Sequence, residues 1–160
     1  MNVLTRIIGF LSIFFLINFE FLAAQEPTLK ETENYINEKM KVQTWRKGKI
    51  VISRNGTTRI TILENGKYRD SSVYFFDIKD MKISEVIKAK ENEADKYKII
   101  VECLSENCIF SEEFWRGKRE RQWHGSNYLY YFKDEVEANK LRKALLRARA
   151  ICLKYKDPFD

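Results

Sequence analysis

The stretch Ser126-Asn-Tyr-Leu-Tyr-Tyr-Phe-Lys-Asp-Glu-Val-Glu137 decides the predicted fold, because its hydrophobic period changes from that of a strand to that of a helix. Aromatic residues occupy every second position at its start: Tyr128, Tyr130 and Phe132. Asp134 then suits the N-cap of a helix, and Glu137 stands where the capping-box partner belongs. The stretch therefore predicts the last strand of a β-rich domain, followed by a C-terminal helix.

The C-terminal helix is predicted to be long and to end at Asp157-Pro158. Its apolar residues recur at helical spacing on one face: Leu141, Ala144, Leu145, Ala148, Ile151, Cys152 and Tyr155. We expect this apolar face to pack on the domain, with the basic residues of the helix facing outward. The alternative is that the basic face binds an anionic membrane surface.

Seven strand-like runs with a period of two precede this helix. They span residues 43–53, 57–64, 68–78, 83–90, 97–104, 108–115 and 126–132. Asn55-Gly56 and Asn65-Gly66 are typical of tight hairpin turns. A short helix is predicted to begin near Thr28, which has capping-box spacing to Glu31. The predicted fold is mainly β (α+β): a seven-stranded antiparallel barrel or orthogonal sandwich with a short N-terminal helix and a long C-terminal capping helix.

The first 24 residues have the three parts of a signal peptide. Arg6 precedes an apolar run over residues 7–17, and Leu22-Ala-Ala24 supplies the small residues of a cleavage site. Cleavage after Ala24 would leave Gln25 as the first residue of one globular domain, 25–160. The alternative is an uncleaved anchor, but the apolar run is shorter than the roughly 20 residues that a span requires. We therefore expect an exported protein, periplasmic or secreted, without a later transmembrane span.

The chain carries a formal net charge of +6 at pH 7, and the excess is divided evenly between its two halves. A basic protein favours anionic partners, but the even distribution of the charge argues against nucleic acid as the partner. Apolar residues make up 44% of the chain, which is typical of a folded domain with its own core.

The three cysteines suggest one disulfide and one unpaired thiol. Cys103 and Cys108 flank a four-residue loop between two predicted strands, so we expect them to face each other across a ladder and to form a structural disulfide. The alternative of a redox pair lacks C-x-x-C spacing. Cys152 lies on the apolar face of the last helix, where a buried free thiol is expected. The alternative is that Cys152 pairs with Cys103 or Cys108.

The order of seven antiparallel strands and one long C-terminal helix, over about residues 43–155, resembles the pleckstrin-homology-like fold. The chain also resembles a group of small secreted bacterial proteins of unknown function. Three segments carry this second resemblance: Glu31-Thr-Glu-Asn-Tyr-Ile-Asn37, Tyr74-Phe-Phe-Asp-Ile78, and the ending from Asp134 through Ile151-Cys152 to Asp157-Pro-Phe159. The resemblance implies a fold and a compartment. The first hairpin, Ser53-Arg-Asn-Gly-Thr-Thr58, offers a single arginine, so phosphoinositide binding is not carried over.

No motif in the sequence points to a cofactor or a metal. His124 is the only histidine, and it would have to be the base of a hydrolase or transferase. One histidine and scattered cysteines do not form a recognised zinc spacing. Glu112 and Glu113 are adjacent, so on a strand they point to opposite faces and form no acid/base pair; a solvated edge is expected there.

The segment Trp115-Arg-Gly-Lys-Arg-Glu-Arg-Gln-Trp-His124 is the candidate binding site. The candidate residues are Trp115, Arg116, Lys118, Arg119, Arg121, Trp123 and His124. Basic residues interleaved with aromatic ones suit phosphate groups, a polyanionic sugar or single-stranded nucleic acid. The alternative is a long hairpin between two strands whose arginines are solvated and whose tryptophans pack on the domain.

Three hypotheses of function follow. The first is a non-enzymatic, extracytoplasmic binding or interaction module that contacts an anionic protein, glycan or lipid surface through this basic aromatic hairpin. The second is a small exported hydrolase or transferase that uses His124. The third is a structural component of an envelope assembly, which would expose an apolar patch.

Overall fold

The computed structural model describes residues 27–41, 47–63, 71–89 and 96–155. Four sequence predictions lie outside these ranges: the signal peptide, its cleavage site at Ala24, the turn at Asn65-Gly66 and the helix stop at Asp157-Pro158.

The described residues form two helices, nine strands and a 3₁₀ turn. The helices are α1 (Leu29–Met40) and α2 (Glu135–Lys154). The strands are β1 (Lys47–Ile52), β2 (Thr57–Leu63), β3 (Ser71–Asp77), β4 (Met81–Ile83), β5 (Ile87–Lys88), β6 (Tyr97–Cys103), β7 (Ile109–Trp115), β8 (Lys118–Gly125) and β9 (Asn127–Phe132). The 3₁₀ turn Ile78–Asp80 joins β3 to β4.

The strands form two antiparallel sheets. The first has five strands in the order β1-β2-β3-β7-β8. In the second, β6 is central, with β4 and β5 along one side and β9 along the other. Within the described residues these ladders do not close into a barrel. The prediction of a mainly β protein with two helices and antiparallel sheets is therefore confirmed.

Two sequence predictions about the strands differ from the structure. The run at 83–90 is interrupted and contributes only parts of β4 and β5. The segment between Trp115 and His124, expected to be a connection between strands, is itself the eight-residue strand β8. Its residues are mostly charged and exposed, so it lacks the apolar alternation by which the other strands are recognised.

One buried core draws on both sheets and both helices. The two sheets meet where the Tyr74 ring of β3 packs edge-on against the Tyr128 ring of β9, with centroids 4.9 Å apart. The predicted apolar face of α2 enters this core through Leu141, Leu145 and Cys152. The side of the five-stranded sheet that faces the core is called the inner face below, and the opposite side the outer face.

The helix starts agree with the sequence in part. Thr28 and Glu31 form the predicted capping box of α1. Asp134 is the N-cap of α2, where its carboxylate accepts a hydrogen bond from the Val136 N–H at 2.6 Å. Glu137 was predicted to complete a capping box, but its carboxylate instead accepts hydrogen bonds from Lys140 Nζ at 2.7 Å and Lys39 Nζ at 2.8 Å. The Lys39 bond joins the two helices.

Helix α1 covers the β1 edge of the five-stranded sheet. Asn37 Oδ1 accepts from the Ile50 N–H at 2.8 Å, and Asn37 Nδ2 donates to the Ile50 carbonyl at 2.9 Å. Glu33 Oε2 accepts from the Ile52 N–H at 2.8 Å. Side chains of a helix thus occupy hydrogen-bonding positions that a neighbouring strand would use, which is one way to protect a sheet edge.

The Cys103–Cys108 pair lies at disulfide distance, with Sγ atoms 2.18 Å and Cα atoms 5.8 Å apart. The expectation that the two residues face each other across one ladder was wrong. Cys103 ends β6 in the second sheet, whereas Cys108 precedes β7 in the first, so the bond connects the two sheets. Cys152 is a buried free thiol, as predicted.

Candidate binding surface

The β7–β8 hairpin carries the predicted site at one edge of the five-stranded sheet. Arg116-Gly117 forms its two-residue turn, with φ values of 48° and 73°. Positive φ at both central residues is the geometry of a type I′ turn, whose twist suits a tight hairpin. The Arg116 guanidinium lies 5.5 Å from the centre of the Trp115 ring. The turn therefore presents a cation stacked on an aromatic ring.

A β-bulge near this turn changes how β8 faces β7. Glu113 is paired with Arg121, but the next residue, Phe114, is paired with Arg119. Glu120 is the extra residue of the bulge. A bulge increases local twist and re-aims side chains, so the two ends of β8 are offset from one another.

The hairpin contributes to a row on the outer face in which an arginine and a histidine flank two phenylalanines. Cross-strand pairing aligns Arg59 of β2, Phe75 of β3, Phe110 of β7 and His124 of β8. Arg59 lies 5.7 Å from the Phe75 ring, Phe75 lies 6.1 Å from Phe110, and Phe110 lies 5.2 Å from the His124 ring. We call these four residues the outer row.

Glu112 lies on the outer face beside this row. Its Oε1 accepts from Gln122 Nε2 at 2.9 Å and from Arg119 Nη1 at 3.1 Å. These two hydrogen bonds, with the charges of Arg119 and Arg59, hold the pKa of the Glu112 carboxyl below its ordinary value. The carboxylate is thus kept ionised and is matched by neighbouring cations. Because β7 lies between β3 and β8, the expected solvated edge at Glu112 was wrong.

A shallow cavity of about 570 Å³ lies between the two helices, and a second of about 420 Å³ lies on the outer face of β1 and β2. The outer-face cavity is lined by Lys49, Val51, Arg59, Thr61 and Leu63, together with Gly48. Val51 is 44% exposed and Leu63 is 67% exposed. The outer face thus extends from the outer row into an apolar depression that is edged by two cations.

The seven predicted residues do not share one surface. Arg119 and His124 lie on the outer face, beside Glu112 and Phe110. Trp123 lies on the inner face, where its ring packs edge-on against Tyr74 at 6.1 Å. Arg121 and Lys118 are paired with the inner-face positions Glu113 and Trp115. Arg116 occupies the turn.

Sequence reasoning missed the residues that β2 and β3 contribute to this surface. Arg59 and Phe75 are distant from the hairpin in sequence, and strand order alone brings them into line with Phe110 and His124. A partial signal existed, because alternation along β2 places Arg59 opposite in face to the buried Ile60. Nothing in a single strand indicates which strand lies next to it.

His124 is exposed, and the cavities between the helices and on β1–β2 do not include it. Among the described residues, the His124 ring packs against the Phe110 ring. Within the described residues, no group of three or more His, Cys, Asp or Glu side chains could hold a metal ion. In the same part of the chain, no helix is both long and apolar enough to cross a membrane.

Comparison with known proteins adds no relative. The chain matches no protein-family model, and no curated protein or solved structure is matched to it.

Proposed function

We propose that this protein is a non-enzymatic, extracytoplasmic binding module that contacts an anionic partner through the outer face and the β7–β8 hairpin. The observation that carries the proposal is the outer row, in which Arg59 and His124 stack on two phenylalanine rings across four adjacent strands. Arginine and aromatic residues, phenylalanine among them, are enriched at protein interfaces relative to the rest of the surface.

The surface favours an anion because it has more cationic side chains than its one central carboxylate can neutralise. Glu112 is held by Arg119 and Gln122, with the charge of Arg59 nearby. Lys49 stands in the adjoining cavity and Arg116 on the hairpin turn. A partner with several negative groups would meet these cations over the outer face, and such contacts weaken as salt is added.

The extracytoplasmic location rests on two observations. The first 24 residues have the composition of a signal peptide, and the Cys103–Cys108 pair lies at disulfide distance. We expect the exported protein to begin at Gln25. Intact-mass measurement on the exported protein tests this, and a mass that still includes residues 1–24 would contradict cleavage. A pleckstrin-homology-like arrangement of the strands is part of the same proposal.

The binding proposal is tested with immobilised heparin as a polyanion probe. The double variant Arg59→Ser, Arg119→Ser should bind about tenfold more weakly, equivalent to about 1.4 kcal/mol. The matched control Lys82→Ser, Lys88→Ser removes two exposed charges from the second sheet and should bind almost as well as the parent protein. Equal losses in the two variants would mean that only net charge matters, and the outer face would be excluded as the contact surface.

A further inference from the structure

We infer that β8 accepts an extended, acidic segment of a partner protein as a sixth strand of the five-stranded sheet. This inference deepens the proposed function and rests on it, since it names the class of anionic partner. Addition of a strand to a sheet edge gives affinity through backbone hydrogen bonds, and side chains at alternate positions give specificity.

The first support is that β8 is an uncovered edge. It pairs with β7 along one side, and no described residue forms a backbone ladder along its other side. The opposite edge of the same sheet, β1, is covered by Glu33 and Asn37 of α1. Among the described residues, one edge of the sheet is thus covered by a helix, and the eight residues of β8 at the other edge pair with a strand on one side only.

The second support is charge. Lys118, Arg119 and Arg121 against Glu120 give β8 a net charge of +2, and six of its eight residues have a charged or polar side chain of the Lys, Arg, Glu, Gln or His type. A second copy of β8 would place like charges opposite one another, which disfavours pairing between copies. An acidic strand would meet the same cations favourably. The edge thus discriminates between its own copy and a partner of opposite charge.

The third support is the arrangement of side chains at the regular end of β8. Arg121 is exposed, and the described residues include no ion-pair partner for it. Trp123 lies two positions later on the same face, and its ring is half-buried. The ring lies over Gly125, where an added Cβ would come within 2.4 Å of it. An incoming strand can therefore place a carboxylate beside Arg121 and an apolar side chain beside Trp123. The expected pattern is an acidic and an apolar residue separated by one position.

The test uses synthetic peptides of about eight residues, the length of β8, with the repeat Glu-Thr-Val-Thr, so that glutamate and valine lie two positions apart on one face. Two further versions carry N-methyl groups on alternate backbone nitrogens, one version for each register, so their charge is unchanged. We expect the unmethylated peptide to bind. The version methylated on the nitrogens that face β8 should bind about tenfold or more weakly than the version methylated on the nitrogens that face away, because it loses the backbone hydrogen bonds of the ladder. On binding, the backbone amides of β8 should become protected from hydrogen exchange, while those of β1 should not change.

Reversing the charge at Arg121 tests whether the bound peptide lies next to that side chain. The variant Arg121→Glu should lose the glutamate peptide and bind a peptide with lysine at the facing position. If the Arg121→Glu variant fails to fold, the N-methylated peptides still test the inference, because they are applied to the unaltered protein. Equal affinity for all glutamate peptides, or unchanged exchange of the β8 amides, would overturn strand addition.

The heparin experiment separates this inference from the proposed function. Retention on heparin without peptide binding would contradict the acidic strand and leave the anionic surface supported, with a glycan as its partner. If the unaltered protein binds neither heparin nor the peptide, the proposed function itself is contradicted.

Discussion

The β7–β8 hairpin carries two tryptophans, and Trp123, which lies over Gly125, is the one that packs against the core. The Trp123 ring contacts Tyr74 in the core and lies over Gly125, whereas the described contact of the Trp115 ring is with Arg116 at the turn. Two tryptophans with similar sequence surroundings therefore have different roles, because only one of them reaches the core.

We expect Trp123→Ala to lower the free energy of unfolding by about 3 kcal/mol, near the lower end for a large aromatic side chain because the ring is half-buried. Trp115→Ala should cost less, about 1 kcal/mol, because its ring is also half-buried but packs with Arg116 at the turn and not against the core. Urea unfolding measures both. Gly125→Ala should also destabilise the parent protein but cost little in the Trp123→Ala background, since the clash with the ring is then absent. Equal costs in both backgrounds would contradict this packing.

Glu112 should contribute to stability at neutral pH and lose that contribution in acid. Hydrogen bonds from Gln122 and Arg119 lower the pKa of this carboxyl in the folded protein from its ordinary value of 4.5. A carboxyl with a lowered folded pKa stabilises the fold above the unfolded pKa, and the contribution is lost as the pH falls through the folded pKa. When the pH is lowered from neutral to below 4.5, the free energy of unfolding should therefore fall less for Glu112→Gln than for the parent protein. The control Glu106→Gln, in the exposed disulfide loop, should behave like the parent.

At the scale of elements, α1 and β8 are complementary parts of one sheet. Helix α1 completes the β1 edge with side chains, and β8 forms the other edge with exposed charged residues. An edge that carries cations and a bulge resists pairing with its own kind. The helix therefore has a structural role at one edge, and the hairpin is the element available for recognition.

We expect Asn37→Ala to destabilise the protein by about 1–3 kcal/mol, because it leaves the backbone N–H and C=O of Ile50 without their partners. Asn34→Ala is the matched control, since Asn34 is exposed on the same helix and alanine favours a helix. Thermal unfolding of the two variants gives the comparison. A cost for Asn34→Ala equal to that for Asn37→Ala would show that the contact with β1 is not the cause.

At the scale of the whole molecule, the chain passes between the sheets at three places: after β3, after β6 and after β8. The Cys103–Cys108 pair spans the second of these passages, so a very short loop holds the two sheets together. The core that the sheets enclose is continuous with the buried faces of both helices.

We expect the double variant Cys103→Ser, Cys108→Ser to be less stable by about 2 kcal/mol, the value of the chain-entropy model for so short a loop. Reducing agent should lower the melting temperature of the parent protein and leave that of the double variant unchanged. Peptide mapping without reduction should recover the 103–108 link and an unmodified Cys152. A cross-link of Cys152 to either of the other cysteines would contradict the assignment.

Local patterns in the sequence determined the parts of this protein that depend on neighbouring residues. Alternation along β2 and β9, the helical spacing of the apolar residues in α2, the Thr28 capping box and the short Cys103–Cys108 loop could all be predicted. Each of these features is decided within a few residues along the chain, where hydrogen bonding and burial follow the period of a strand or a helix.

Only the tertiary structure decided which strands are neighbours, and the candidate surface depends on that order. Arg59 and His124 belong to one row because β2, β3, β7 and β8 lie side by side, although 64 positions separate the two residues in the numbering of the chain. Strand β8 itself exists because β7 provides a ladder for a charged segment that has no apolar alternation of its own. Pairing between distant strands is settled by packing of the whole core, which leaves no trace in the period of any single strand.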